Sequence, residues 1–172
     1  QLALAALSYA QDYDELLPAS YRPGGGEIYW TGNINPYIKN TQIFRCPSLN
    51  IPETFWNGSQ MAYGWNYYYL TLQAGAVAYG GATTNLGQVR SPAETVMLGD
   101  GPSCQTMATG TLYYPDIYPG SRINAMGYVI NGTNNYFPNL RHNDLANIAF
   151  VDGHAKACTM GYLTGTTIWD LN

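Results

Sequence analysis

The sequence predicts an α+β fold in which an N-terminal helix packs on an antiparallel β-sheet that carries long Gly-, Tyr- and Asn-rich loops. Three observations lead to this class: helical spacing of apolar residues at the start, a period of two in a central aromatic segment, and a turn signal between two strand-like segments near the end. With 172 residues, the chain is expected to form a single domain, 1–172, because one core accommodates about 250 residues before chains divide.

The N-terminal helix is predicted over residues 2–16, ending before Pro18. Apolar residues recur there at steps of three and four, which places them on one face: Leu2, Ala6, Tyr9, Tyr13, Leu16 and Leu17. Leu4 and Leu7 widen the apolar zone beyond one stripe, so this part of the helix is expected to be covered by another surface. Because Gln1 provides no cap, we expect an upstream helical segment that was removed or lies outside this sequence.

A central strand is predicted where aromatic residues alternate with other residues over 63–70. The aromatic positions are Tyr63, Trp65, Tyr67 and Tyr69. Two interpretations remain open: the rings pack in the core and across strands, or they form a platform for sugars. A further strand is predicted over 95–98.

A C-terminal hairpin is predicted over 145–160, around the dipeptide Asp152-Gly153. This dipeptide favours a two-residue type I′ turn. In that register Phe150 faces Ala155, and this apolar side of the hairpin is predicted to meet the N-terminal helix.

The charge pattern excludes several classes of partner. The net charge is −4 and no cluster of Lys and Arg occurs, so nucleic acid is not expected to bind. No apolar run is long enough to span a bilayer. Charged residues make up only 10% of the chain, against about 25% in ordinary domains. Such a surface, rich in Tyr, Asn, Thr and Gly, favours contact with other protein copies, because little side-chain entropy is lost there.

One motif near the end of the chain is specific. His142 is followed by nine residues and then by Asp152-Gly153, with Arg141 before it and His154 after it. This pattern resembles the H-X9-DG region of prepilin-type proteins, a bacterial group related to type IV pilins and to the pseudopilins of type II secretion.

Further segments resemble the same group in its order along residues 1–158: Tyr9-Ala10-Gln11-Asp12-Tyr13, Phe44-Arg45-Cys46-Pro47-Ser48, Tyr63-Gly64-Trp65-Asn66 and Ser91-Pro92-Ala93-Glu94-Thr95-Val96. The resemblance implies a pilin-like helix on an antiparallel sheet, export across the cytoplasmic membrane, and self-association into filaments or pseudopili. It covers the globular half of such proteins. The short basic leader and the apolar half-helix of about 20 residues with which members begin are not in this sequence, so either the native chain is longer or the domain assembles through its globular surfaces.

A candidate metal site consists of Asp100, His142, Asp144 and Asp152. Carboxylates at turns beside a sheet are common calcium ligands, and the resemblance to pseudopilins also implies calcium. The alternative is that these residues only stabilise turns and strand ends. The cysteines lack the paired spacing of structural zinc sites, so no such site is expected.

The three cysteines, Cys46, Cys104 and Cys158, allow three pairings, or three reduced thiols. The resemblance implies that Cys46 pairs with an upstream helix cysteine, which leaves a Cys104–Cys158 disulfide. No nucleophile motif surrounds any Ser, Cys or His, so we expect no enzyme.

The sequence therefore predicts a structural subunit of an extracellular or cell-surface homopolymer, built as a filament, tube or pilus-like assembly. The expected contact residues on the helix are Leu2, Leu4, Leu7 and Tyr9. Two alternatives are a minor pseudopilin of a secretion system and a polysaccharide-binding module of the cell surface.

Overall fold

A computed structural model describes residues 1–22, 28–48, 62–72, 83–101, 116–117, 138–165, 168–169 and 171. Its helices and its sheet of mainly antiparallel strands make it an α+β structure, as the sequence predicts. Within these residues no helix is both long enough and apolar enough to cross a membrane.

Helix α1 comprises Leu2–Asp12, so it ends four residues before the predicted boundary at residue 16. The chain turns at Asp14 and Glu15, whose φ angles are 51° and 61°. A left-handed backbone cannot continue a right-handed helix. Leu16 pairs instead with Asn85 in an isolated β-bridge.

A compact segment follows α1. Strands β1 (Tyr21–Arg22) and β2 (Ile28–Tyr29) pair antiparallel, and β2 leads directly into helix α2 (Trp30–Ile34). Two 3₁₀ turns, Asn35–Tyr37 and Thr41–Phe44, then bring the chain to Cys46.

The main sheet has five strands in the order β5-β3-β4-β6-β7. Four of them are antiparallel neighbours, namely β3 (Tyr63–Asn66), β4 (Val96–Asp100), β6 (Ala146–Phe150) and β7 (Ala155–Cys158). The two-residue strand β5 (Asp116–Ile117) lies parallel to β3 at the edge.

Strand β3 is shorter than the predicted strand over 63–70. It ends at Asn66, and a π-helical turn covers Tyr68–Leu72. The buried Asn66 amide donates hydrogen bonds to the carbonyl oxygens of Val96 and Trp169, and its Oδ1 accepts from the backbone N–H of Tyr69 at 3.5 Å. These side-chain bonds take the place of a continued strand ladder.

The C-terminal hairpin forms, but its predicted register was wrong by one residue. Ala149, not Phe150, lies opposite Ala155. The loop has three residues, because the N–H of Phe150 donates to the carbonyl of His154 at 2.9 Å, and Gly153 follows the turn with φ +93°. Asp-Gly thus forms the three-residue loop with a left-handed glycine rather than the two-residue type I′ turn.

Each side of β6 belongs to a different hydrophobic cluster. Ala149 and Val151 lie in a cluster with the buried side of α1, Trp30, Trp65 and Met97. Ile148 and Phe150 lie in a second cluster with Val96, Leu163 and Trp169. The prediction that the Phe150 side meets the N-terminal helix was therefore wrong. Helix α3 (Met160–Leu163) and the residues after it pack on these sheet residues and complete the second cluster.

Candidate functional site

The motif residue His142 is presented by a tight turn at the base of β6. The backbone groups of His142 and Leu145 exchange two hydrogen bonds of 3.1 Å. Between them Asn143 and Asp144 have φ angles of 52° and 60°, as a type I′ turn requires at both central positions. Asn and Asp tolerate this conformation better than other residues with side chains.

The neighbouring Arg141 connects this turn to the sheet. Its guanidinium donates to the carbonyl oxygens of Gly101 and Ala62 and to Oδ1 of Asp100, the last at 2.8 Å. The side chains of Arg141 and Asp100 are 7% and 0% exposed. A buried ion pair needs such further hydrogen bonds to offset the loss of solvation. The pair fixes the end of β4 against the residues before β3.

The other oxygen of Asp100 faces His142 and the backbone of β6. Oδ2 accepts from the N–H of Asn147 at 2.6 Å and lies 3.5 Å from Nε2 of His142. The same Nε2 lies 3.5 Å from Sγ of Cys46. All three potential ligand atoms lie within 4.8 Å of one another. We name Cys46, Asp100 and His142 the Cys–Asp–His cluster.

Tyr63 lies at the border of this cluster. Burial raises the pKa of the Tyr63 phenol, negative charge on Cys46 and Asp100 raises it further, and Arg141 acts in the opposite direction. The phenol is therefore neutral at physiological pH.

The structure brings together two of the four predicted metal ligands, Asp100 and His142. Asp144 lies exposed in the turn, and neither it nor Asp152 joins the cluster. Asp152 lies in the hairpin loop, where its Oδ1 is 2.6 Å from Nδ1 of His154. Partial desolvation raises the pKa of Asp152, but hydrogen bonds from the His154 ring and backbone outweigh it, so the pKa lies below its usual value.

Sequence reasoning missed Cys46 as a member of the site. Cys46 and His142 are 96 residues apart in the chain, and no local spacing indicates such a contact. The available signal was the resemblance, which includes both the Cys-Pro segment and the H-X9-DG region.

The geometry of the cluster differs from a catalytic relay. In a nucleophile–His–Asp triad, one ring nitrogen of the histidine meets the nucleophile and the other meets the carboxylate. Here Nε2 of His142 lies near both Cys46 and Asp100.

The disulfide prediction concerns Cys104 and Cys158. Cys104 lies outside the described residues. Cys158 is a buried free thiol, and burial raises its pKa while the nearby Lys156 lowers it.

Two of the four rings of the predicted aromatic platform lie in the core, whereas Tyr63 and Tyr67 are partly exposed. Trp65 is fully buried, where its ring lies 5.7 Å from that of Trp30, and Tyr69 is 8% exposed. The core-packing interpretation of these two rings is therefore confirmed.

Of the four predicted contact residues on α1, two are used within the chain itself. Leu2 and Tyr9 are 8% and 5% exposed and belong to the core. Leu4 is 59% exposed, and Leu7 is partly exposed. The outward residues Leu4, Leu7, Ser8 and Gln11 form what we name the outer face of α1. These four residues are uncharged, and the charged residue of the helix, the exposed Asp12, follows one turn after Ser8.

An open groove of about 380 Å³ lies beside the start of α1. Leu4 and Leu7 approach Gly153 of the hairpin loop, and Gly153 also lines the groove. The other lining residues come from the start of α1, the segment before Cys46 and the sheet, and include Leu2, Arg45, Leu98 and Ala149.

Comparisons with known proteins gave no match among family models, curated proteins or solved structures.

Proposed function

We propose that this protein is a structural subunit of an extracellular homopolymer, assembled as a filament, a tube or a pilus-like fibre. The uncharged outer face of α1 supports this proposal most directly. An exposed helix face ordinarily carries charged residues, whereas Leu4 here leaves 59% of its surface in solvent. A second copy of the chain is the occupant that we propose for this face.

The composition of the chain agrees with this occupant. Burying Lys or Glu in a contact costs side-chain entropy and desolvation, and charged residues are only 10% of the chain. Tyrosine, of which the chain has 16, offers a large contact area with one polar end where it is exposed, as Tyr13 is at 50%. A face that binds a different region of the next copy generates an open helical assembly without closed symmetry.

A pilin-like domain is the finer fold that we propose. The buried side of α1 shares a hydrophobic cluster with Trp65, Leu98 and Ala149 of the sheet. This common cluster is what a helix packed on a sheet requires. The H-X9-DG pattern supports the same interpretation.

The test compares substitutions at two exposed apolar residues, Leu4 and Met160. Leu4→Glu places a charge on the outer face of α1, and Met160→Glu places the same charge on α3, where Met160 is 46% exposed. We expect regular polymers from the unmodified chain and from Met160→Glu by electron microscopy, and monomers from Leu4→Glu. Circular dichroism establishes that each variant is folded.

Polymers from Leu4→Glu would contradict the role of this face. Monomers from the unmodified chain would contradict a homopolymer and favour the alternative, a minor pseudopilin whose α1 binds a different subunit.

A further inference from the structure

We propose that the Cys–Asp–His cluster is a binding site for Zn²⁺ or another divalent ion with the same ligand preferences. This site is independent of polymer formation. It adds Cys46 to two residues for which the sequence indicated calcium.

Two of the three distances between the donor atoms agree with those around a tetrahedral ion, and the third, between Sγ of Cys46 and a carboxylate oxygen of Asp100, is at most 4.8 Å. Zinc bonds of about 2.3 Å to sulfur and about 2.0 Å to nitrogen and oxygen place S and N about 3.5 Å apart, and N and O about 3.3 Å apart. In the cluster both the Sγ–Nε2 and the Nε2–Oδ2 distances are 3.5 Å. The second value exceeds the usual range of an N–H···O hydrogen bond, which ends at about 3.2 Å. The separation is thus wide enough to hold an ion between the atoms.

The identity of the donors selects the ion. Calcium takes six to eight oxygen ligands, and magnesium takes oxygens and waters. A thiolate, an imidazole and a single carboxylate are instead the ligand types of zinc. Cobalt(II) accepts the same ligands and serves as a spectroscopic probe.

Neighbouring groups hold the carboxylate in place. Arg141 donates to Oδ1 of Asp100, and the Asn147 N–H donates to Oδ2, which leaves a second lone pair of Oδ2 for the ion. Such outer partners orient metal ligands and tune their affinity. The positive charge of Arg141 balances the negative charge of Asp100. The Cys46 thiolate therefore supplies the further negative charge that a bound divalent ion requires.

Binding replaces one proton. The Cys46 thiol releases its proton to solvent as the sulfur–metal bond forms, and neutral His142 donates its Nε2 lone pair. Three protein ligands leave a fourth tetrahedral position. His142 is 30% exposed, so water can occupy that position.

The test is a titration of the reduced full-length chain with Zn²⁺ in competition with a chromophoric chelator. We expect one tight equivalent, and affinity at least about 100-fold lower in Cys46→Ser and in His142→Gln. The chain contains matched controls, because Cys158→Ser removes another buried thiol and His154→Gln removes the other histidine. Both controls are expected to retain the affinity of the unmodified chain.

Cobalt(II) gives a readout that identifies the sulfur ligand. The unmodified chain and Cys158→Ser should develop thiolate-to-cobalt charge-transfer absorption, and Cys46→Ser should not. Thermal unfolding without metal establishes whether His142→Gln, at the more exposed position, keeps the fold. The proposal is overturned if the unmodified chain binds Zn²⁺ no more tightly than Cys46→Ser and His142→Gln, or if Cys158→Ser loses the affinity equally.

Discussion

Replacing Asp100 with Asn removes the counter-charge of a buried guanidinium. The Asp100 side chain is 0% exposed, and that of Arg141 is 7% exposed. Breaking a buried pair by changing one partner costs about 3–5 kcal/mol. We expect Asp100→Asn to lower the free energy of unfolding by this amount in denaturant titrations.

Asp144→Asn is the matched control, since it makes the same change at an exposed turn residue two positions after His142. Its effect should stay within about 0.5 kcal/mol. Equal stability of the two variants would contradict a structural role of the buried ion pair.

At the residue scale, the sequence indicated the site only in part. The chemistry of Asp100 and His142 suggested ion binding, and the structure places the two side chains 3.5 Å apart. The Asp152 carboxylate binds its neighbour His154, and Asp144 is an exposed turn residue, so both lie in turns that follow from short-range backbone preferences. Cys46 could not be assigned, since its contact depends on how the whole sheet is assembled.

At the scale of the elements, the hairpin loop depends on Gly153. Its φ of +93° strains any residue with a side chain, and an added Cβ would lie 3.0 Å from Cδ1 of Leu7. We expect Gly153→Ala to cost about 1–2 kcal/mol of unfolding free energy, measured by thermal and denaturant unfolding.

Gly161→Ala is its control within α3. A Cβ there would meet nothing closer than Thr159 Oγ1 at 4.0 Å. Alanine is the better helix former, so this variant should be neutral or stabilised by up to about 1 kcal/mol. A loss at Gly161 that matches the loss at Gly153 would contradict the argument from backbone conformation.

The hairpin also illustrates which features of an element the sequence determines. Strand propensity and Asp-Gly predicted that it exists, which is correct. The register depends on whether the loop has two or three residues, and a slip of one residue exchanges the two faces of a strand. The type I′ turn is found instead at Asn143 and Asp144, a dipeptide without the glycine that usually marks such turns.

At the scale of the whole molecule, the residues after α3 cover the second face of the sheet. Trp169 is fully buried, and its indole N–H donates to the carbonyl of Leu163 at 2.9 Å. We expect Trp169→Ala to lose about 3–5 kcal/mol, because it leaves a cavity against β4 and β6. Chemical denaturation measures the loss.

Met160→Ala is the corresponding control, since this side chain is 46% exposed. It should cost less than about 1 kcal/mol. If Trp169→Ala proves as stable as Met160→Ala, the C-terminal residues do not complete the core.

The α+β class could be predicted because helical and strand periodicities are local properties. The presence of a hydrophobic cluster on each face of the sheet could not be predicted. It arises from pairing between β4 and β6, which lie far apart in the sequence, and from a C-terminal segment whose only apolar signals are isolated residues such as Ile168 and Trp169.

The buried ion pair has a kinetic consequence. Arg141 binds Ala62 and Asp100, which precede it by 79 and 41 residues. Contacts between such distant segments form only after large chain loops have closed, so we expect them at a late stage of folding. Losing a late contact accelerates unfolding more than it slows refolding. The Arg141–Asp100 pair would then set the lifetime of the folded domain rather than the rate at which it folds.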